Sequence, residues 1–213
     1  VGGYTANEFA AYYITLMVVN HLTFSWIMQV FQFRIQFGSL SQELLRPIHP
    51  IHYDIADNIA YKIVQMIVLL PAMVFLIWYF EPAFNFEAGN VLIALPVIFL
   101  AFITRFLLEW TLALAAFWTT RLTAINNSYF AVMMFMSGRI APIALLPFWL
   151  QTVAEKLPFY YVVAFPVEIL TGKLAQTQIV EGIGMLCLWL GIATVLIRFV
   201  WSRALRSFSA VGS

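Results

Sequence analysis

Charged residues are scarce in this sequence, and their scarcity excludes most classes of soluble protein. Lys and Arg number 11 and Asp and Glu number 10 in 213 residues, so charges make up 10% of the chain. An average soluble domain has about 25%. Hydrophobic residues make up 63%, more apolar surface than a soluble fold of this size can bury. The composition excludes an ordinary soluble enzyme and a disordered chain, and it indicates an integral membrane protein.

Several chemical signatures are also missing. The formal net charge of +1 gives no preference for phosphate backbones, so we expect no nucleic-acid partner. Cys187 is the only cysteine, so no internal disulfide can form. The sequence has neither the phosphate-binding pattern G-x-x-x-x-G-K-[ST] nor the nucleophile pattern G-x-S-x-G. We therefore predict no catalytic residue and no ATP site in this chain.

Long apolar runs are what the sequence has in abundance. A membrane-spanning helix needs about 20 mainly apolar residues, and five runs meet this length: residues 9–30, 59–80, 91–118, 124–146 and 179–201. The fourth run is interrupted by Gly138-Arg139 and Pro142. The pattern predicts an all-α, polytopic transmembrane helical bundle that forms a single domain over residues 1–213.

Basic residues flank these spans unequally, and the richer side is expected to be cytoplasmic. Alternate loops place on one side Arg34, Arg46, Lys62, Arg121, Arg198, Arg203 and Arg206, and on the other Arg139, Lys156 and Lys173. This predicts a cytoplasmic C-terminus and an external N-terminus. Because the first residues carry no charged leader, we expect a further span upstream, which makes six in the full-length protein.

Two segments are predicted not to span. Residues 34–58 form a cytoplasmic segment, in which Ser39 and Gln42 resemble a capping box that starts a short helix ended by Pro47. Residues 144–178 form an external segment, too broken by prolines for one span and too apolar for a free loop. We expect short re-entrant or interfacial helices there, anchored at the membrane interface by aromatic residues: Phe148, Trp149, Phe159, Tyr160, Tyr161 and Phe165.

Arg105 and Glu109 are the most informative charges. They lie four residues apart near the middle of the third span, on one helical face. Each would cost roughly 2.5–3.5 kcal/mol at the bilayer centre, so they must face protein or water and are expected to pair. Two interpretations stay open, a polar position near a translocation path and an ion pair that fixes helix packing. Arg139 has two interpretations as well, because it can snorkel to the lipid headgroups or line an outer vestibule.

A possible metal site competes with these interpretations. His49, His52, Asp54 and Asp57 have the residue types that bind zinc or iron. Pro50 separates the histidines and disturbs helical spacing, so we favour a solvated loop that leads into a helix, and we predict no metal. The corresponding alternative function is an intramembrane lipid-modifying enzyme. A structural subunit of a larger membrane complex is a further alternative.

Several short strings, taken in order, resemble one known family. The chain resembles the membrane (permease) subunit of a bacterial ATP-binding-cassette (ABC) transporter of the type-2 exporter class, in the branch whose ATPase is a separate chain. The matching strings are Gly38-Ser39-Leu40, Leu44-Leu45-Arg46-Pro47, Phe117-Trp118-Thr119-Thr120-Arg121, Ser137-Gly138, Pro142, Leu145-Leu146-Pro147, Trp149-Leu150, Leu157-Pro158-Phe159-Tyr160-Tyr161, Phe165-Pro166-Val167-Glu168-Ile169-Leu170, Gly172 and Phe208-Ser209-Ala210-Val211-Gly212. The chain departs from the family in lacking the first span and in carrying Arg139 where a small or apolar residue is usual.

The resemblance implies a function and a set of sites. It implies that the 34–58 segment carries a coupling helix that docks on the ATPase, through Gly38, Leu40, Leu44, Leu45, Arg46 and Pro47. It implies an external gate, for which the candidates are Arg139, Trp149, Phe159, Tyr160 and Glu168. Expected partners are ATPase subunits, which would bind ATP and Mg²⁺, a second permease chain, identical or homologous, and membrane lipids. The expected location is the bacterial inner membrane, and no cofactor is expected in this chain.

Overall fold

The computed structural model describes residues 5–119 and 122–207, and its regular structure there is entirely helical. The all-α fold predicted from composition is confirmed. Of the features used above, Thr120, Arg121 and the tail from Phe208 onward lie outside the described residues. The α-helices are α1 (Ala6–Thr23), α2 (Ile27–Gln36), α3 (Ser39–Leu44), α4 (Pro50–Phe80), α5 (Ala88–Ala113), α6 (Leu122–Met136), α7 (Phe148–Ala154), α8 (Pro158–Val162), α9 (Ala164–Leu170) and α10 (Gln176–Ser207).

The first predicted span is broken into two helices. Helix α1 ends at Thr23 and α2 begins at Ile27, because Phe24 adopts an extended conformation with ψ 145°. The Ser25 hydroxyl accepts a hydrogen bond from the Ile27 amide (3.3 Å), and the Phe24 carbonyl accepts one from the Lys62 ammonium. A helix break at membrane depth needs such partners, because no water is present there to satisfy the freed backbone groups.

Contacts at the two ends of the bundle show how the chain runs. At one end, which we call the Glu8 end, Lys173 Nζ lies 2.7 Å from Glu8 Oε1, and the Ala83 amide donates to the Asn7 carbonyl (3.1 Å). At the other, the His49 end, the ring of His49 lies 4.7 Å from that of Trp201. Within the described residues the chain therefore passes between the ends five times, from Thr5 at the Glu8 end to the last turns of α10 at the His49 end.

One of these five passes is shorter than predicted. Among the described residues, four helical stretches are long and apolar enough to cross a membrane: Ala6–Gln36, Pro50–Phe80, Ala88–Phe117 and Gln176–Arg206. In the predicted fourth span, residues 124–146, the helix ends at Met136. Helix α6 has 15 residues and is about 22 Å long, less than the roughly 30 Å of a hydrocarbon core. Helix α6 thus ends just before Gly138, where the sequence predicted an interruption, and it does not resume as α-helix before residue 146.

Gly138 explains where α6 ends. Its φ of +75° lies in the left-handed region, which glycine adopts without strain. A Cβ at this position would lie 2.7 Å from the Tyr12 hydroxyl and 2.9 Å from Ala164 Cβ. The Tyr12 hydroxyl also donates to the Gly138 carbonyl (2.9 Å). The turn after α6 is thus fitted against α1 and α9, and the chain continues through turns and a short 3-10 helix (Ile143–Leu145) rather than through α-helix.

Helix α5 lies at the centre of the bundle. It packs against α1, α2, α8, α9 and α10, and its small or apolar residues Ala94, Ala101 and Ala113 are fully buried. Helix α4 is the opposite case, because none of the apolar window that would cross the membrane is buried. Helix α5 is therefore central and α4 peripheral, and the inward face of α5 carries the fully buried Arg105, Glu109 and Trp110.

The external segment is packed into the bundle more deeply than predicted. Phe148 and Trp149 of α7 are exposed, at 83% and 67%. Tyr160, Tyr161 and Phe165 are buried, and Phe159 packs on the same core. The prediction that all six aromatic side chains anchor at the membrane interface is therefore wrong for these four. Helices α8 and α9 form part of the core beside α1, α5 and α10.

Gly138→Ala tests this account of the α6 turn. We expect a loss of about 1–3 kcal/mol, because the methyl group forces Tyr12 or Ala164 to move and the backbone is strained at positive φ. Thermal unfolding in detergent measures it. Gly191→Ala is the matched control, since a Cβ there meets nothing within 4 Å. A Gly138→Ala protein with the same melting temperature as Gly191→Ala would contradict the account.

Candidate functional site

The short helix at the His49 end forms where it was predicted, with a different cap. Gly38 precedes α3 with φ +70°, and Ser39 is the first helical residue. The Ser39 hydroxyl donates to the Arg34 carbonyl at 3.5 Å, so the expected capping box of Ser39 with Gln42 is wrong. Gly38 turns the chain in its left-handed conformation, without a side-chain cap. The glycine before Ser39 in the sequence already indicated a turn at this point.

Of the six residues predicted for coupling, Gly38 forms the turn before α3 and the other five divide into two groups. Leu40 is fully buried, and Leu44 packs against the same core cluster. Leu45 is 87% exposed, and Arg46 and Pro47 are exposed beside it. Leu40 therefore cannot contact a partner protein and instead holds α3 on the bundle. The outward surface is formed by residues 45–47, which we call the α3 tip.

Arg34 joins α3 to the rest of the bundle, a role that its place in the sequence did not reveal. Its Nε lies 3.2 Å from Glu43 Oε1 of α3, and its Nη1 lies 2.5 Å from Asp54 Oδ1 of α4. The second carboxylate oxygen of Asp54 accepts a hydrogen bond from Trp110 Nε1 of α5 (2.8 Å). Asp54 and Trp110 are buried. The guanidinium thus links α2 to α3 and α4, and Asp54 extends the connection to α5.

Two of the four residues proposed for a metal site, His49 and Asp54, are engaged elsewhere. Asp54 is held by Arg34 and Trp110, and His49 Nδ1 accepts a hydrogen bond from the Ile51 amide (3.2 Å), which caps α4. The rings of His49 and His52 are 6.4 Å apart. Within residues 5–119 and 122–207, no group of three or more His, Cys, Asp or Glu residues could hold a metal ion. The donor set therefore does not fit a metal centre.

Arg105 and Glu109 pair inside the bundle. Arg105 Nε lies 2.8 Å from Glu109 Oε1, and both residues are fully buried. Arg105 Nη1 also donates to Asn20 Oδ1 (3.3 Å) and Thr23 Oγ1 (3.4 Å) of α1. The Tyr129 hydroxyl of α6 donates to Glu109 Oε1 (3.2 Å). Because the pair is closed off on all sides and ties three helices together, the geometry favours the packing interpretation over a position on an open path.

A second polar group lies beside this pair. Lys62 of α4 donates to the Phe24 carbonyl and to Asn58 Oδ1 (2.9 Å), and Asn58 Nδ2 donates to Ser25 Oγ (3.4 Å). The Lys62 ammonium also lies 4.6 Å from the centre of the Phe102 ring. We call Lys62, Asn58 and Ser25 the α4 latch, because they fasten α4 to the break between α1 and α2. The sequence placed Lys62 only as a positive charge on the cytoplasmic side.

The five residues predicted for the external gate do not form one cluster. The Tyr160 hydroxyl donates to Glu168 Oε2 (2.6 Å), and both are buried. The Phe159 ring lies 5.7 Å from that of Tyr129. Trp149 is exposed on α7, and Arg139 lies in the turn after α6, half-buried.

A groove lies next to the Tyr160–Glu168 pair. It has a volume of about 530 Å³ and is lined by side chains that include Glu155, Tyr160, Tyr161 and Glu181. Burial raises the pKa of the Glu168 carboxyl to about 7, although the hydrogen bond from Tyr160 opposes the shift.

Comparison with known proteins decides the family. The family described as "ABC-2 family transporter protein" matches residues 1–212, which is nearly the whole chain. The chain belongs to the ABC-2 transporter family. No significant match was found among the curated proteins or among the solved structures.

Membership of the ABC-2 family answers the question left open between transport and catalysis. The chain is a transport membrane subunit of an ABC transporter and a multi-pass membrane protein. The lipid-modifying alternative depended on the His49–Asp57 group, which does not fit a metal centre. In such a transport subunit, the candidate functional residues are those on surfaces that contact partners and those in polar groups that hold the bundle.

Removing one partner of the Arg105–Glu109 pair tests its packing role. Glu109→Ala leaves a buried guanidinium uncompensated, and we expect a loss of about 3–5 kcal/mol. The double variant Arg105→Met/Glu109→Met removes both charges and is expected to lose less than Glu109→Ala alone. Thermal unfolding in detergent compares them. A double variant less stable than Glu109→Ala would contradict the packing role.

Glu168 makes stability depend on pH. Folding raises the pKa of the Glu168 carboxyl, so the folded state favours its protonated form. The free energy of unfolding therefore falls as pH rises from about 4.5 through 7. The full loss is roughly 3 kcal/mol. Glu168→Gln keeps an acceptor for Tyr160 and should flatten the melting temperature between pH 5 and 8. Glu181→Gln, an exposed change on α10, is the control and should keep the slope; equal slopes in all three proteins would contradict the assignment.

Proposed function

We propose that this chain is the permease subunit of an ABC exporter in the bacterial inner membrane. Membership of the ABC-2 family over residues 1–212 is the observation that carries the proposal. The chain would form half of the translocation pathway with a second permease, identical or homologous. Two separate ATPase subunits would bind ATP and Mg²⁺ and drive alternating access. This chain would need no cofactor of its own.

The α3 tip is the surface proposed to meet the ATPase. It presents an exposed leucine, an arginine and a proline at the end of a helix whose other leucines are buried (Leu40) or half-buried (Leu44). An apolar side chain held at a fixed position is what a docking contact requires. Arg198, Arg203 and Arg206 lie on the last turns of α10, which reach the same end. Their charge supports a cytoplasmic His49 end with the C-terminus inside.

Helix α4 supports a pathway shared between two chains. Its membrane window has no buried residue, and it packs mainly against α1 within this chain. The exposed large hydrophobic side chains of its outer two thirds are Ile63, Val64, Ile67, Val68, Leu70, Val74, Phe75, Trp78, Tyr79 and Phe80. A second permease would cover part of this face and lipid the remainder. Tyr160, Glu168 and Phe159 at the Glu8 end, together with Arg139 and Trp149, would then belong to the outer gate.

Gentle purification of the full-length protein from its native membrane tests the proposal. Mass spectrometry of the copurified chains should find an ATPase with a phosphate-binding loop and one or two permease chains. Recovery of this chain alone, or with unrelated membrane proteins, would contradict it.

Leu45→Glu tests the docking surface in the same preparation. A charge in place of an exposed apolar contact should reduce the copurified ATPase about tenfold. The bundle itself should stay intact, because the side chain packs on nothing in this chain's core. Leu45→Met, which keeps the apolar volume, is the matched control. If Leu45→Glu copurifies with as much ATPase as the wild type, the α3 tip is not the docking surface.

A further inference from the structure

Helix α3 cannot hold its own position. It has six residues, too few for a helix to be stable in isolation. Gly38 before it and Pro47 after it interrupt the backbone ladder on both sides. The side chains that fix it to the bundle are Leu40, Leu44 and, through its ion pair with Arg34, Glu43. A load on the α3 tip would tilt α3 alone unless these contacts make it move with its neighbours.

Arg34 has the geometry of a clamp between α3 and the membrane helices. It contacts Glu43 and Asp54 through different nitrogen atoms, Nε and Nη1. Asp54 passes the connection to Trp110 on α5 through its second oxygen. Trp110 follows Glu109 directly in the chain, so the connection ends beside the pair that holds α1, α5 and α6.

The break between α1 and α2 allows α2, which carries Arg34, to move relative to α1. Arg34 lies on α2, which is separated from α1 by residues 24–26. The α4 latch holds that break from the α4 side. Helix α2, helix α3 and the first turns of α4 are therefore joined to each other by charges. Helix α1 is joined to α2 through an interrupted backbone and to α4 through the latch and helix packing.

We propose that the Arg34–Glu43 and Arg34–Asp54 ion pairs are the positioning device that makes the α3 tip and the membrane helices move together. Arg34 is a positioning residue and touches neither substrate nor nucleotide. The proposal rests on the proposed function, because it needs an ATPase that loads the α3 tip. It differs from a docking contact in that its loss leaves the ATPase bound and disconnects the membrane helices from it.

Glu43→Gln is the sharpest test, because it releases α3 and leaves the buried Asp54 paired with Arg34. The experiment uses the full complex purified with its ATPase. Spin labels on the native Cys187 of α10 and on Ala60→Cys, an exposed position of α4, report the distance between these helices. In the otherwise unchanged protein, ATP with vanadate should shift that distance. With Glu43→Gln the shift should fall at least twofold at unchanged ATPase recovery.

Two variants separate the clamp from a general charge effect. Asp57→Asn removes an exposed carboxylate one turn from Asp54 and should leave the shift unchanged. Glu43→Asp keeps the carboxylate and should restore part of it. In the isolated chain, Glu43→Gln should also speed amide exchange in α3 up to about fivefold, as expected for a partly exposed ion pair, and Asp57→Asn should not.

Three results would overturn the proposal, and they are distinguishable. A full distance shift in Glu43→Gln would show that α3 moves the membrane helices without the clamp. Loss of the ATPase from Glu43→Gln would make Glu43 a docking contact instead. Absence of the ATPase from the unmodified protein would overturn the proposed function, and the clamp with it.

Discussion

The Arg105–Glu109 pair is the constraint on which the bundle depends. Two charges at the centre of an apolar bundle are tolerated only if each compensates the other and the remaining donors find acceptors. Asn20 and Thr23 on α1 accept from Arg105 Nη1, and Tyr129 on α6 donates to Glu109 Oε1, which meets part of this demand. These two helices must therefore approach α5 at one height. The polar network fixes which faces of α1, α5 and α6 meet, a choice that apolar packing alone leaves open, because lipid is as apolar as leucine.

The same demand explains why α1 and α2 can be separate helices. A helix break inside a membrane exposes a carbonyl that lipid cannot satisfy. Here Lys62 reaches the Phe24 carbonyl from α4, and its charge is further accommodated by Asn58 and by the face of the Phe102 ring. The break and the lysine therefore require each other. Helix α4, which packs little elsewhere, is fastened to the bundle at this polar point.

Sequence reasoning reached those features whose cause is local. The i,i+4 spacing of Arg105 and Glu109 predicted their pairing, and the apolar run lengths predicted the helical bundle. The break at residues 24–26 was missed, because Phe-Ser-Trp contains no residue that disfavours helix strongly and its partner Lys62 lies far along the chain. Tyr160 and Tyr161 were misplaced for a related reason. Aromatic residues suit the membrane interface and the core equally, and only tertiary packing separates the two environments.

At the His49 end, too, the sequence did not indicate the tertiary contacts, although the choice of arginine at position 34 has a physical reason. Nothing in the string Leu44-Leu45-Arg46-Pro47 distinguishes the exposed Leu45 from its half-buried neighbour, and Arg34 carries no local sign that it meets two carboxylates from different helices. Its identity as arginine is nevertheless informative. A planar guanidinium offers donors in several fixed directions, whereas a lysine ammonium is a compact point charge on a flexible stem. Two carboxylates on different helices, bound by Nε and by Nη1 of one side chain, require a guanidinium. The short α3 thus acquires from Arg34 a rigidity that its own six residues cannot supply.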